Sequence, residues 1–142
     1  MRGRILAVDL GAKRIGVAIS DPTQTIASPL TVVQHTSRIV DAAQISQLCS
    51  ENDAALVVIG IPGTEDGNDS PQLRHVQRFI DELKIQLKIP IVTWDESYST
   101  NNAQEIRRAM HVPAKKRQGH LDDLAASVIL QSYLESQMRE SA

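Results

Sequence analysis

The chain has a single cysteine, Cys49, among its 142 residues, so it can form no internal disulfide and no Cys-based zinc site. Cys49 sits in a segment with helical periodicity and reads as a small core residue. Aromatics are scarce as well. One Trp, one Phe and two Tyr are too few to mark out an interface between copies, and no exposed apolar stripe stands out. Long apolar runs are missing: the longest, residues 54–59, is far short of the roughly 20 residues that span a bilayer. No cleavable apolar region precedes the strand-like segment that begins at Arg4, so the cytoplasm is the expected location and no membrane is an expected partner. Nor does one sign of charge dominate. With a net charge of -2, composition alone gives no global attraction for nucleic acid. The length and the 42% apolar content suit one globular domain over residues 1–142.

The distribution of charge is more informative than its sum. Arg2, Arg4, Lys13 and Arg14 form one basic window. Arg107, Arg108, Lys115, Lys116 and Arg117 form another. Local patches of this kind can bind phosphates on a slightly acidic chain, or can be ordinary solvated faces.

Periodicity orders the chain as β-β-β-α-β-α-β-α-α. Residues 4–10 and 14–20 read as two strands joined by a hairpin, with Gly11 at the tight connection. Residues 28–33 read as a third strand. Ser37 can cap a helix reaching Glu51, with Ile39, Ala42, Ile45, Leu48 and Cys49 on its buried side. Residues 56–60 form a short, fully apolar strand of the kind found inside parallel sheets. The polar loop 61–69 follows. Ser70 and Pro71 then start a helix that buries Leu73, Val76, Ile80, Leu83 and Leu87. Residues 89–94 are the fifth strand. Helices are expected at 100–110 and 121–138, separated by the basic segment 113–119. The order predicts an α/β fold: a mixed five-stranded sheet with helices on both faces. Right-handed crossovers make the first, fourth and fifth strands parallel neighbours, with their C-terminal ends on one edge.

Several carboxylates fall at that edge. Asp9 stands among Leu6, Ala7, Val8 and Leu10, where a charge is costly unless it is paired or bound to metal, although Asp also opens turns. Asp95 and Glu96 follow the fifth strand. In extended chain they point to opposite faces, so at most one can share a site with Asp9, and spacing alone does not choose between them. Asp122 and Asp123 open the last helix, where the helix dipole by itself favours acidic residues. A buried arc through Leu121, Leu124, Ala125, Val128 and Ile129 would put Asp122 at its edge and Asp123 nearly opposite its centre. An oxygen-only cluster of three such groups suits magnesium or manganese rather than zinc. Two such ions can clamp the attacking water and the leaving oxygen of a phosphodiester. His35, His75, His111 and His120 show no metal-ligand spacing.

Four motifs span the chain: VDLGAKRIGVAISD at 8–21, VIGIP at 58–62 with Gly67 beyond, DESYST at 95–100, and HLDDLAASVILQSYL at 120–134. Together and in this order they resemble the YqgF/RuvX family, described both as Holliday junction resolvases and as nucleases that mature the small-subunit ribosomal RNA precursor. The resemblance implies a ribonuclease H-like fold and phosphodiester hydrolysis dependent on Mg2+ or Mn2+. By motif position it implies that Asp9, Glu96 and Asp122 are the catalytic and metal-binding carboxylates. Lys13 and Arg14 match the basic pair after the first motif, where they can meet substrate phosphates, and Lys115, Lys116 and Arg117 are further candidates for that role. The family usually has Arg after the Asp-Glu pair, whereas this chain has Ser97.

The expected function is a metal-dependent endonuclease acting in maturation of the 5' end of pre-16S ribosomal RNA, as a monomer or homodimer. Two alternatives keep the same fold: a dimeric Holliday junction resolvase acting on branched DNA, and a nucleic-acid-binding module with little catalysis. An actin-like or sugar kinase-like ATPase also opens with an Asp-x-Gly hairpin, but such enzymes close two domains over nucleotide, and 142 residues supply one.

Overall fold

The computed structural model describes residues 3–62 and 70–96 and the backbone of 114–141, with side chains in that last stretch from 124 to 140. Five strands are present: β1 (Arg4–Leu10), β2 (Arg14–Ser20), β3 (Ala27–Gln34), β4 (Ala54–Ile61) and β5 (Ile91–Asp95). Among the described residues there are three helices, α1 (Arg38–Glu51), α2 (Pro71–Gln86) and α3 (Ala114–Ser141). The strands form one sheet in the order β3-β2-β1-β4-β5. β1 is antiparallel to β2 and parallel to β4, which is parallel to β5. The expected mixed sheet and its three parallel neighbours are therefore observed.

Local chemistry explains the elements. At the β1–β2 turn the Gly11 N–H donates to the Arg14 carbonyl at 2.9 Å, and a Cβ on Gly11 would stand 2.5 Å from that same oxygen. The turn needs glycine for space. Ser37 and Ser70 cap α1 and α2, their hydroxyls accepting from the N–H groups of Val40 and Leu73 at 3.2 and 3.1 Å. Pro71 occupies the first turn of α2, where its missing N–H has no intrahelical role.

Strand alternation sorts β1 into two cores. Leu6, Val8 and Leu10 pack under α1 and α2, with Ala42, Ile45, Val76, Phe79 and Leu83. Ile5 and Ala7 face the other way and pack under α3, with Ala126, Ile129, Leu130 and Leu134. Cys49 is buried in the first core, and burial pushes its thiol up to about 11. It is a core residue, as expected.

Three expectations are corrected. Ile39 is exposed (66%) rather than buried. The stripe of α1 is rotated toward Asp41, which is 1% exposed because its carboxylate is satisfied by His35 Nδ1 at 2.5 Å and by the Thr36 N–H at 2.9 Å. Residues 39 and 41 lie on nearly opposite sides of a helix, so burying Asp41 turns Ile39 outward. In α2, Phe79 is fully in the core, a position missed by a reading that follows only aliphatic spacing. Finally, the last helix begins at Ala114, so residues 114–119 are helix and not a separating segment. Ala, Lys, Arg and Gln are strong helix formers, and one interior glycine, Gly119, costs only about 1 kcal/mol. The helix expected at 100–110 lies outside the described residues.

The β2–β3 connection is organised by Asp21. Its Oδ1 accepts from the N–H groups of Thr25 and Ile26, each at 2.8 Å, and its Oδ2 accepts from the Thr23 N–H and hydroxyl. The Thr23 hydroxyl, then the Ile26 and Thr25 amides, hold this carboxyl well below the usual carboxylate range. A carboxyl lowered in the folded state stabilises above its unfolded pKa of about 3.9, and that contribution is lost as pH falls further. Asp21→Ala should therefore lower the melting temperature at pH 7, with the gap from the parent narrowing below about pH 4. Thermal melts across that range check the sign.

Candidate active site

The rim of interest lies where β1, β4 and β5 end. Asp9 alternates with Ile5 and Ala7, so its half-buried side chain belongs to the α3 face. Val8 pairs with Ile59, which places Asp9 and Gly60 side by side one residue further along. Gly60 in turn pairs with Trp94. Glu96, directly after β5, folds back over this spot. A Cβ on Gly60 would stand 3.1 Å from Glu96 Oε1, 3.4 Å from its Cγ and 2.7 Å from Ile129 Cδ1. Asp9 and Glu96 thus flank Gly60 on one face. Asp95 pairs with Ile61, which packs against the α1–α2 core, so alternation sends Asp95 to the other side. The choice that spacing leaves open is made by the register.

Helix α3 lies over β1, β2 and β3 and reaches the β4–β5 edge through side chains. Trp94 Nε1–H donates to Ser132 Oγ at 3.1 Å, and the Trp94 and Tyr133 rings meet edge to face at 5.6 Å and 80°. Burial, with a contribution from Glu140, raises the Tyr133 phenol above its ordinary pKa. Gln131 ties the helix to the far rim, accepting from the Ala27 N–H at 2.9 Å and donating to the Thr25 carbonyl at 3.2 Å. Sequence reasoning misses Trp94. The available signal is a lone Trp ending a strand in a chain nearly empty of aromatics, since a buried indole N–H needs a partner.

The other candidate residues divide into two groups. Lys13 and Arg14 are exposed at the β1–β2 turn. Arg14 alternates with Gly16 and Ala18 and so shares the face of Asp9, which pairs with Gly16. The Lys13 carbonyl accepts from the His35 N–H at 2.9 Å. Asp122, Lys115, Lys116 and Arg117 lie on the helical backbone of α3, with side chains outside the described residues. Ser97, Arg107 and Arg108 also lie outside them.

One premise about Asp122 needs correction. Of the expected arc, Leu124, Val128 and Ile129 are buried and Leu121 lies outside the residues whose side chains are described, but the stripe that packs on the sheet is Ala126, Ile129, Leu130 and Leu134. Ala125 is only half-buried, and burial extends around to Ser127. A helix buried on several sides carries no single amphipathic phase. Projected at about 100° per residue, positions 122 and 123 fall about equally far from the midline of the observed stripe. Helical phase against the sheet therefore does not separate the two aspartates.

Among the described residues, no three His, Cys, Asp or Glu side chains gather as a metal cluster. What the structure does supply suits a hard divalent cation: two carboxylates on one face, and a glycine whose absent side chain leaves the room that one of them fills.

Solved structures of similar shape define the class of the fold. RuvC of T. thermophilus, solved with a Holliday junction substrate, superposes with a TM-score of 0.66 at 13% identity, covering 97% of each chain. The Fowlpox virus resolvase, solved with junction DNA, gives 0.56 at 18% identity, covering 95% of this chain and 99% of that one. The fold is ribonuclease H-like, of the RuvC type. Residues 3–136 match the family described as RuvX, Holliday junction resolvase, and the chain belongs to that family. It is 39% identical over 135 residues to a protein of Roseiflexus sp. (strain RS-1) named "Putative pre-16S rRNA nuclease", covering 95% of this chain and 96% of that protein. A protein of the same name from Syntrophus aciditrophicus (strain SB) is 43% identical over 137 residues, covering 96% and 91%.

The brace on α3 can be tested directly. Trp94→Phe should cost about 1 kcal/mol by losing the bond to Ser132. Ser132→Ala added to it should cost little more, because the two changes remove one interaction. Denaturant unfolding of both single variants and the double variant measures the coupling, and strictly additive losses would refute it.

Proposed function

We propose that this chain is a divalent-metal-dependent endonuclease that hydrolyses phosphodiester bonds of nucleic acid, with ribosomal RNA precursor as its substrate in the cytoplasm. The observation that carries the reading is the placement of Asp9 and Glu96 on one face, on either side of Gly60, at the rim where α/β sheets bind ligands. The relatives' naming as pre-16S rRNA nucleases supports the choice of substrate.

Asp9, Glu96 and Asp122 are the oxygen donors that would hold Mg2+ or Mn2+, which would neutralise charge at the scissile phosphate. Asp122 belongs to this set by its place in the family motif. It also stands seven residues before Ile129, two helical turns back along the line of α3 that passes over Gly60. Asp123 stands in the same relation to Leu130. Lys13 and Arg14 carry positive charge to the edge of the acidic centre, where they orient the phosphate backbone. In the reaction water adds to phosphorus, one ester P–O bond breaks, and the departing oxygen takes a proton.

The decisive experiment compares magnesium, manganese and excess chelator on matched substrates: structured ribosomal RNA precursor, single-stranded RNA and four-way junction DNA. Cleavage of the precursor that stops in chelator is expected. Preferred, symmetric cutting of the junction would move the assignment to a dimeric resolvase. Asp122→Asn should abolish cleavage, whereas Asp123→Asn should leave it within a small factor. Equal loss in both would place the third carboxylate elsewhere.

The basic run makes a separate prediction. Changing Lys115, Lys116 and Arg117 to Ala should weaken substrate binding and flatten its salt dependence, by roughly one unit of slope for each phosphate no longer neutralised. Consecutive helical positions splay by about 100°, so the slope should fall by fewer than three units. An unchanged slope would make the run a solvated face.

A further inference from the structure

We propose that Gly60 is a positioning residue for the carboxylate of Glu96, and that the space left by its missing side chain sets where that carboxylate can stand relative to Asp9. The proposal rests on the reading of Asp9 and Glu96 as metal ligands.

Gly60 is out of place by strand preference. It interrupts β4, whose neighbouring residues Leu56, Val57, Val58, Ile59 and Ile61 are all large aliphatics. Glycine weakens a strand interior, and in such a place it marks either a bulge or a close approach. No irregularity interrupts the β4–β5 pairing from Val57 to Ile61, and Gly60 lies outside the left-handed backbone region. The remaining reason is close approach, and its partners are known. Two groups occupy the volume a side chain would take: the Glu96 side chain, with Oε1 at 3.1 Å and Cγ at 3.4 Å from the Cβ position, and Ile129 Cδ1 at 2.7 Å.

These two contacts have different consequences. Ile129 Cδ1 is the end of a flexible side chain in the α3 core, so crowding it costs packing. Glu96 Oε1 belongs to the pair at the rim, so crowding it moves a donor away from its partner strand. A methyl group at position 60 therefore does two separable things. It strains the helix–sheet contact, and it displaces the carboxylate by a few tenths of an ångström from its place beside Asp9.

Ile129→Val deletes the Cδ1 atom and isolates the second effect. Four proteins are compared with the parent: Ile129→Val, Gly60→Ala, the Gly60→Ala/Ile129→Val double variant, and Glu96→Gln. The readouts are melting temperature in chelator, Mn2+ affinity by calorimetry, and cleavage of ribosomal RNA precursor at saturating Mn2+. Ile129→Val should bind Mn2+ and cleave like the parent. Gly60→Ala should melt lower in chelator and bind Mn2+ more weakly. The double variant should recover the melting temperature of Ile129→Val while its Mn2+ affinity stays about tenfold weaker, the size typical when a ligand's support is disturbed. Its cleavage at saturation should stay at least tenfold lower, because small displacements of reacting groups are costly. A double variant that binds Mn2+ and cleaves like Ile129→Val would overturn the proposal and leave Gly60 as a packing residue. Failure of the melting temperature to recover would overturn the claim that the two contacts are separable. If Glu96→Gln binds Mn2+ as tightly as the parent, the ligand assignment itself is wrong, a result distinct from either of these.

Discussion

β1 is covered by helices on both faces, and this constraint controls the rest of the molecule. A strand buried on two sides must be apolar at every position inside the sheet, and RILAVDL is apolar from Ile5 to Val8. Its first charged residue after Arg4 comes at the end, where the sheet stops and solvent begins. Alternation then fixes the face. With Leu6 and Val8 committed to α1 and α2, Asp9 has to emerge toward α3. A slip of one residue would reverse every side chain of the strand, so the position of the carboxylate is held by the whole apolar pattern behind it. The hydrophobic core thus specifies the location of a charge.

The same logic separates the two acidic residues at the end of β5. Trp94 lies on the α3 face and is bonded to Ser132. Asp95 follows with the opposite parity, and Glu96 returns to the face of Asp9. Because the indole is anchored at both its N–H and its ring edge, the end of β5 and the helix α3 are fixed to one another. Gln131, three residues before Leu134, fastens the same helix at the opposite rim through the Ala27 N–H and the Thr25 carbonyl. Both contacts come from adjacent residues of one turn, so they fix that turn of α3 across the width of the sheet.

Much of this is legible in the sequence, and the failures have physical causes. The opening hairpin, the three parallel neighbours and both serine caps follow from periodicity, handedness and cap chemistry, whereas the place of β3 beside β2 does not. Asp9 stands out as a charge in an apolar strand. Ile39 is misplaced by a hydrophobic-face reading because such a reading cannot anticipate a buried Asp41 whose partner, His35, lies before the helix. The phase of α3 escapes the same reading because Leu124 through Leu130 are buried almost all round, so their hydrophobicity has no single direction. Gly60 is a weak strand former among large aliphatics, but the sequence does not show what approaches it. Its role depends on Glu96 and Ile129, residues far away in sequence, and only the fold shows that they fill the space it leaves.

The net charge of -2 and a nucleic-acid substrate are compatible once distance is considered. At physiological salt, charges separated by more than about 8 Å on the surface are largely screened from each other. A phosphate brought to the β1 rim would therefore sense the groups beside it more than the sum over the chain. Two of those groups are Lys13 and Arg14, exposed on a turn immediately after Asp9. The tightness of that turn, enforced by the Gly11 contact with Arg14, keeps cations within a few residues of the acidic end of β1. Strand pairing adds precision: Arg14 pairs with Gln34 on one side and leads into Gly16, the partner of Asp9, on the other. A paired strand fixes its first residue far better than a free loop would. The hairpin thus sets Lys13 and Arg14 immediately after the end of β1 and, for Arg14, on the face that Asp9 shares.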